Sequence, residues 1–161
     1  ARLHPNDEKR IVRALEVYLS TGKTITQHNR ETLALPPRYD ALTITLAFQR
    51  REDMWARIDR RVDEMMERGL AQVRSLLDSG VPEKCTAMQA IGYKEMAAAL
   101  RGDGDVDRAA REIQLRSRQY AKRQLTWFRR NGAAKWITWD SEPNFAQALQ
   151  VSTGYLEDFG I

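Results

Sequence analysis

The chain has 161 residues, 42% of them hydrophobic and 30% charged, which is the balance of a soluble globular protein with one core. It contains no apolar run long enough to cross a bilayer, and its first residues lack the apolar centre of a signal peptide. The single cysteine, Cys85, excludes an internal disulfide and favours a reducing cytoplasm and a small buried side chain. A formal net charge of +4 and a pI of about 9.4 weakly favour an anionic partner.

The first predicted elements are two helices. One carries apolar residues at helical spacing and ends at Gly22. Thr24 and Gln27 form a capping-box pattern, which predicts the start of a short second helix. The paired prolines that follow cannot continue a helix, so residues 33–40 are predicted to be a loop.

The middle of the chain predicts one strand and several helices. Residues 41–48 are β-branched or apolar almost throughout, which predicts a strand buried on both faces. A long amphipathic helix follows over residues 52–68, is interrupted at Gly69 and then resumes. The next segment reads as a helix, a break at Gly92 and a second helix.

The last third predicts a long helix over residues 106–130, a second strand in "AKWITWD" and a final helix over residues 141–159. The fold is therefore predicted to be mostly α with two short strands. Two such strands cannot form an independent sheet with a core on both faces. They are expected to join a sheet whose other members lie outside this chain.

The letters "TGKT" at residues 21–24 match the end of a phosphate-binding P-loop. A P-loop needs an earlier glycine after a strand, because its backbone must curl around phosphate oxygens. That earlier position is Val17, inside a helical pattern. The segment is therefore predicted to be a helix end at Gly22 followed by a cap at Thr24. A kinase or ATPase built on Lys23 is the least favoured function.

The most informative charge pattern is an acid-free stretch between Ile113 and Trp139. Three aromatic residues lie among its cations, and Gln124 and Thr126 add hydrogen-bonding groups. A stripe of positive charge without acids is typical of a surface that binds a polyanion. The alternative is a solvated helix face. The cations are Arg116, Arg118, Lys122, Arg123, Arg129, Arg130 and Lys135.

Arginines border the apolar stripe of the long central helix. Arg57 and Arg61 lie one turn apart on the same side, where two guanidiniums can grip a phosphate. The alternative is that they form surface ion pairs with Asp59, Asp63 and Glu64.

The segment "QAIGYKEM" at residues 89–96 joins a glycine break to an aromatic residue and a lysine. Tyr93 can stack on a base and Lys94 can meet a phosphate. The alternative is an ordinary helix–helix turn with a packed tyrosine. His4 and His28 are too isolated for a metal site, and no self-contained catalytic set is apparent. The residues alone indicate an α-rich, basic RNA-binding domain.

Three stretches in this order resemble one family. They are "LHPNDEKRIVRALEVY…TGKT" at residues 3–24, "AIGYKE" at 90–95 and "RQYAKRQLTWFRR" at 118–130. The chain resembles the bacterial tRNA dimethylallyltransferases, also called tRNA isopentenyltransferases, and it resembles only their C-terminal half. The resemblance implies that it is the α-rich C-terminal portion of a P-loop-type α/β fold whose N-terminal half is absent.

The family resemblance implies a reaction. A dimethylallyl group passes from dimethylallyl diphosphate to the exocyclic amine of the adenine 3′ of the anticodon, and that adenine is flipped out of the anticodon loop. Mg²⁺ shields the departing diphosphate. The family's P-loop and its proton-accepting aspartate belong to the missing half, so the fragment alone is expected to be inactive.

The resemblance also implies roles for particular residues. Arg61 matches the arginine that contacts the diphosphate, and Arg57 is a weaker candidate. No metal ligand is expected in this chain. The positions that match segments contacting the tRNA anticodon arm are Lys9, Arg10, Ile11, Val12, Arg13, Gln89, Ala90, Ile91, Gly92, Tyr93, Lys94, Lys122, Arg123, Gln124 and Trp127.

The resemblance divides the chain into two parts. Residues 1–40 are expected to be the end of a tRNA-binding insertion and a connecting loop, and residues 41–161 to return to the core α/β domain. Arg61 and the Lys122 helix are expected to face one shared cleft. A helical RNA-binding module without chemistry remains the alternative function.

Overall fold

The computed structural model describes residues 4–102 and 104–160, and its secondary structure is mostly helical with two short strands, as predicted. The elements in chain order are α1 (Glu8–Thr21), α2 (Ile25–Ala34), β1 (Ile44–Phe48), α3 (Arg51–Asp78), a 3₁₀ turn (Ala87–Gln89), α4 (Tyr93–Arg101), α5 (Val106–Phe128), β2 (Lys135–Trp139) and α6 (Phe145–Phe159).

The chain divides into two compact units, Ala1–Ala41 and Leu42–Ile161. In the first, α1 ends at Gly22, which has φ of 69° and donates its N–H to Tyr18. Helix α2 begins at Thr24, whose hydroxyl accepts the N–H of Gln27 at 3.2 Å. Both predicted helix ends are therefore confirmed. Neither α1 nor α2 has a buried residue.

The core of the second unit lies among α3, α4 and α5. Helices α3 and α5 run antiparallel, because Asp59 pairs with Arg118 while Asp63 accepts a hydrogen bond from Gln114. The partly buried Cys85 packs against this core. The buried residues of the cluster are Val62, Val73, Met88, Met96, Ala97 and Ile113.

Strands β1 and β2 form a two-stranded parallel sheet in which Leu46 pairs with Ile137. The Phe48 and Trp139 rings stand edge to face at 5.7 Å, at the carboxyl ends of the strands. The expectation of a strand buried on both faces is wrong for β1 within this chain, since Leu46 is 48% exposed. Its neighbour Thr45 is buried, so the part of the chain that the structure describes covers one face better than the other.

Two predicted helix boundaries are wrong. Helix α3 passes through Gly69 without interruption. A Cβ there would lie 3.1 Å from Met96 Cε, so the glycine allows α4 to approach closely instead of ending α3. The segment before Gly92 contains only the 3₁₀ turn, because Gly80 ends α3 with φ of 81° and Pro82 starts a run of tight turns.

None of the described helices combines the length and apolar character that crossing a membrane requires.

Candidate functional site

A cleft of about 460 Å³ lies between α3 and the start of α4. Arg61 and Arg68 line it from α3, Gly92 lines it from the turn before α4, and Tyr93 lines it as the first residue of α4. The buried side chain of Met96 lies among its apolar walls. The fold therefore brings the predicted phosphate-binding arginine next to part of a predicted RNA-binding segment.

Arg61 differs from its neighbours in having no ion pair or hydrogen bond among residues 4–102 and 104–160. Arg60 donates to Glu142 at 3.2 Å, and Arg57 lies 3.9 Å from the same carboxylate. Asp59, a predicted partner, is bound by Arg118 instead. The expected local ion pairs therefore do not engage Arg61, whose exposed guanidinium remains available in the cleft.

Other charged residues of the cleft were not predicted. Arg68 lies seven residues after Arg61, which is two helical turns along the same face of α3. This spacing is the feature of the sequence that indicates a second arginine in the cleft. Glu64 and Glu67 also line the cleft. The two positive charges of Arg61 and Arg68 equal the two negative charges of the glutamates. Any attraction for an anion therefore depends on where the guanidiniums lie.

The turn before α4 has a conformation that requires glycine. Gly92 has φ of 103°, in the left-handed region. Its N–H donates to the carboxylate of Glu95 at 2.8 Å, while Tyr93 packs partly buried against the core. Tyr93 thus serves packing and lines the cleft at the same time. Around it the segment is exposed at Gln89, Ala90, Ile91 and Lys94.

The cations of the acid-free stretch fall into two groups. Arg116 pairs with Glu95 and Glu112, and Arg118 pairs with Asp59. The remaining five have no carboxylate partner within the described ranges, which leaves uncompensated positive charge at the C-terminal end of α5 and the start of β2. They are Lys122, Arg123, Arg129, Arg130 and Lys135.

The predicted RNA-contacting residues of α5 point in several directions. Lys122 lines a second cleft, of about 380 Å³, beside the start of α3. Arg123 lies with its guanidinium carbon 5.7 Å from the Tyr120 ring centroid. Gln124 lines a third cleft, against β1, and Trp127 is 65% exposed.

Arg61 and Lys122 line two different clefts, so the expectation of one shared cleft is not met within the described residues. Helix α5 packs on the face of α3 that carries Asp59 and Asp63. Arg61 lies two residues from each, about 200° around the helix, and therefore projects from another side.

The predicted RNA-contacting segment of α1 belongs to the first unit. Arg10 pairs with Asp7 at 3.2 Å and Arg13 with Glu16 at 3.4 Å. Lys9 has no such partner in the described part of the chain, and Val12 is exposed. Ile11 is half-buried. This surface is therefore mixed in charge, unlike the end of α5.

The P-loop-like letters do not form a phosphate cradle. Lys23 Nζ lies 2.8 Å and 3.0 Å from the two carboxylate oxygens of Glu31. This hydrogen bond holds the pKa of the Glu31 carboxyl below its usual value, although desolvation opposes the shift. The helix end at Gly22 and the cap at Thr24 are as predicted, and the structure adds that Lys23 is paired with a carboxylate.

Replacing Lys23 with alanine should raise the pKa of Glu31 toward its ordinary value. A depressed carboxyl pKa contributes stability above the unfolded-state pKa, and that contribution disappears as the pH falls through the folded-state pKa. An NMR titration of the Glu31 carboxyl carbon in Lys23→Ala would measure the shift. Arg30→Ala, a neighbouring exposed cation, should leave the pKa where it is; an unchanged value in Lys23→Ala would contradict the prediction.

Across the described ranges, no group of three or more His, Cys, Asp or Glu side chains is arranged to hold a metal ion. His28 is instead within 3.0 Å of the Thr21 hydroxyl, and His4 accepts the N–H of Asn6.

Comparisons with known proteins agree on one family. The IPP transferase family model matches residues 1–131. A tRNA dimethylallyltransferase from Geobacter sulfurreducens is 43% identical over 99% of this chain and 50% of its own length. One from Trichlorobacter lovleyi is 47% identical over 86% of this chain and 45% of its own length. The chain spans about half the length of the curated relatives it matches.

Solved structures of related proteins have a fold similar to that of this chain. A full-length tRNA isopentenylpyrophosphate transferase from Bacillus halodurans is 34% identical and superposes with a TM-score of 0.67 over 97% of this chain and 48% of that protein. The Staphylococcus epidermidis protein is 33% identical, with a TM-score of 0.63 over 98% of this chain and 51% of its own. Sequence, fold and motif order thus confirm the resemblance, and the chain belongs to the IPP transferase family.

Proposed function

We propose that the protein carrying this chain modifies tRNA. It transfers a dimethylallyl group from dimethylallyl diphosphate to the exocyclic amine of the adenine 3′ of the anticodon. The observation that carries the proposal is the cleft where an arginine without a protein partner, Arg61, meets the Gly92–Tyr93 turn in a chain of this family. The curated relatives named above are tRNA dimethylallyltransferases, which supports the same substrates.

In this reaction the amine nitrogen forms a bond to the allylic carbon as the bond from that carbon to the diphosphate oxygen breaks. The bonding electrons leave with the diphosphate, and the amine loses its proton to an aspartate outside this chain. Negative charge therefore grows on the leaving group. We assign Arg61 the role of donating to that group, since a guanidinium offers several N–H donors in a rigid fork.

The tRNA contacts are proposed to involve three segments. The end of α5 offers cations without carboxylate partners, and Trp127 offers an exposed ring on which a base can stack. The segment from Gln89 to Lys94 and the α1 segment from Lys9 to Arg13 add contacts with the anticodon arm. Flipping the adenine out of its loop makes its amine accessible to the allylic carbon.

Mg²⁺ would shield the diphosphate in this chemistry. Among the described residues, no group of three or more His, Cys, Asp or Glu side chains is arranged to hold a metal ion. In line with the family resemblance, we assign the ion, the P-loop and the proton acceptor to the other half of the protein. Residues 1–40 are proposed to end a tRNA-binding insertion and residues 41–161 to belong to the core α/β domain of a cytoplasmic enzyme.

A transfer assay tests the proposal. This chain and a version extended upstream to full length are each incubated with tRNA and labelled dimethylallyl diphosphate, and the label on tRNA is counted. We expect transfer by the extended protein alone. A helical RNA-binding module is the second candidate, favoured by the unpaired cations of α5, and tRNA binding without transfer in either version would select it.

Lys122→Ala and Arg123→Ala should each reduce the salt dependence of tRNA binding by the extended protein. If each side chain meets one phosphate, the slope of log affinity against log salt falls by about one unit per substitution. Filter binding or fluorescence anisotropy between low and moderate salt would measure it. Arg111→Ala, an exposed cation on the same helix, is the control, and an unchanged slope in both test variants would remove these residues from the interface.

A further inference from the structure

Glu95 is a buried charged side chain that neither the predicted site nor the proposed reaction uses. Its side chain is 8% exposed, although it lies in the first turn of α4. Burying a carboxylate is costly unless it is paired and hydrogen-bonded. Its surroundings supply both: Oε2 accepts the N–H of Gly92 at 2.8 Å, and Oε1 lies 3.2 Å from Arg116 Nε.

The contact with Gly92 determines how the chain enters α4. The first N–H groups of a helix have no partner within it, and an acidic side chain three residues in can reach back to satisfy one. Glu95 does this for Gly92, whose φ of 103° sets the direction of the chain into Tyr93. The carbonyl of Gly92 accepts the N–H of Met96 at 3.0 Å, so both the N–H and the carbonyl of Gly92 are hydrogen-bonded.

The contact with Arg116 connects this turn to α5. Arg116 Nε also lies 2.6 Å from Glu112, which holds the guanidinium against α5 from its own helix. One carboxylate thus joins two segments that the proposed function assigns to RNA binding. They are the segment from Gln89 to Lys94, which includes the start of α4, and the basic helix α5.

We infer that Glu95 is a positioning residue for RNA binding. It holds Gly92 and the first residues of α4 in a defined orientation relative to α5, and it does so without contacting RNA itself. Tyr93 then keeps its place in the wall of the Arg61 cleft, and Lys94 projects outward. The inference rests on the proposed function, because it assumes that this turn contacts tRNA.

The test measures tRNA affinity of the extended protein at several salt concentrations, well below the melting temperature of each variant. Glu95→Ala should weaken binding about tenfold, the scale of one lost charge-assisted hydrogen bond. The slope of log affinity against log salt should not change, since no phosphate contact is lost. Glu95→Gln can still accept the Gly92 N–H but loses the charge that pairs with Arg116, so it should weaken binding only about threefold.

Two further variants separate positioning from general stability. Arg101 forms an ion pair with Glu83 at the other end of α4, and Arg101→Ala should bind tRNA like the unmodified protein. Arg116 is half-exposed, so Arg116→Ala should fold even if Glu95→Ala does not. It should weaken binding about threefold, less than Glu95→Ala, because it removes the ion pair with α5 but keeps the hydrogen bond from Gly92 to Glu95. Unchanged affinity in Glu95→Ala or Arg116→Ala, or an equal loss in Arg101→Ala, would overturn the inference.

Hydrogen exchange at Gly92 tests the positioning role of Glu95 without requiring that the protein bind tRNA. Hydrogen exchange of the Gly92 amide should become at least about tenfold faster in Glu95→Ala, because its acceptor is gone. Failure of the unmodified extended protein to bind tRNA would refute the proposed function and with it the RNA role of Glu95. Unchanged exchange at Gly92 would refute the positioning role whether or not tRNA binds.

Discussion

Arg61→Ala in the full-length protein should lower kcat for dimethylallyl transfer by about 10²- to 10³-fold, as the loss of one donor to a developing negative charge commonly does. The charge on the departing diphosphate is larger in the transition state than in the bound substrate. A donor aimed at it therefore acts mainly on kcat and less on KM for dimethylallyl diphosphate. Arg61 is the arginine of its helical turn that lacks a carboxylate partner in the described ranges, so its loss leaves no orphaned acid.

Steady-state kinetics with tRNA and labelled dimethylallyl diphosphate would measure this effect. Arg60→Ala is the matched control, since Arg60 is adjacent, exposed and engaged with Glu142, and its kcat should stay within about threefold of the unmodified value. Arg61→Lys should recover only part of the rate, because an ammonium keeps the charge but loses the fork of donors. Normal turnover in a correctly folded Arg61→Ala protein would remove Arg61 from the reaction.

Ile113→Ala should destabilise the fold by about 3 kcal/mol, within the range measured for removing a fully buried aliphatic side chain. Ile113 is 1% exposed and lies in the cluster that packs α5 against α3 and α4. The substitution loses the transfer free energy of three carbons and leaves a cavity that a rigid helix cannot fill. Because α5 carries the basic surface, tRNA binding should fall only at temperatures where the variant unfolds.

Denaturant unfolding followed by circular dichroism would measure the loss in free energy. Leu115→Ala is the control on the same helix, two residues away, where the side chain is 49% exposed, and it should cost less than about 1 kcal/mol. Equal losses in the two variants would mean that the face of α5 carrying Ile113 does not form the core.

Features that depend on a few adjacent residues were predictable from the sequence. Gly22 and Thr24 end one helix and begin the next because a left-handed glycine and a hydroxyl cap act on backbone groups within four residues. The same local features exclude a P-loop at Lys23. The prediction at Gly69 is wrong, because close approach of Met96, not helix termination, accounts for the glycine.

The sequence by itself determined the helical class, the two strands, the family and the residue types able to meet phosphate. Only the tertiary structure decided which of those cations are available, because ion pairs join residues far apart in the chain. Glu142 engages Arg57 and Arg60, and Asp59 engages Arg118, while Arg61 is left in its cleft. Burial also depends on the tertiary structure. In the sequence Glu95 is an ordinary helix-capping residue, and only the packed structure shows that its side chain is 8% exposed and lies beside Arg116 of α5.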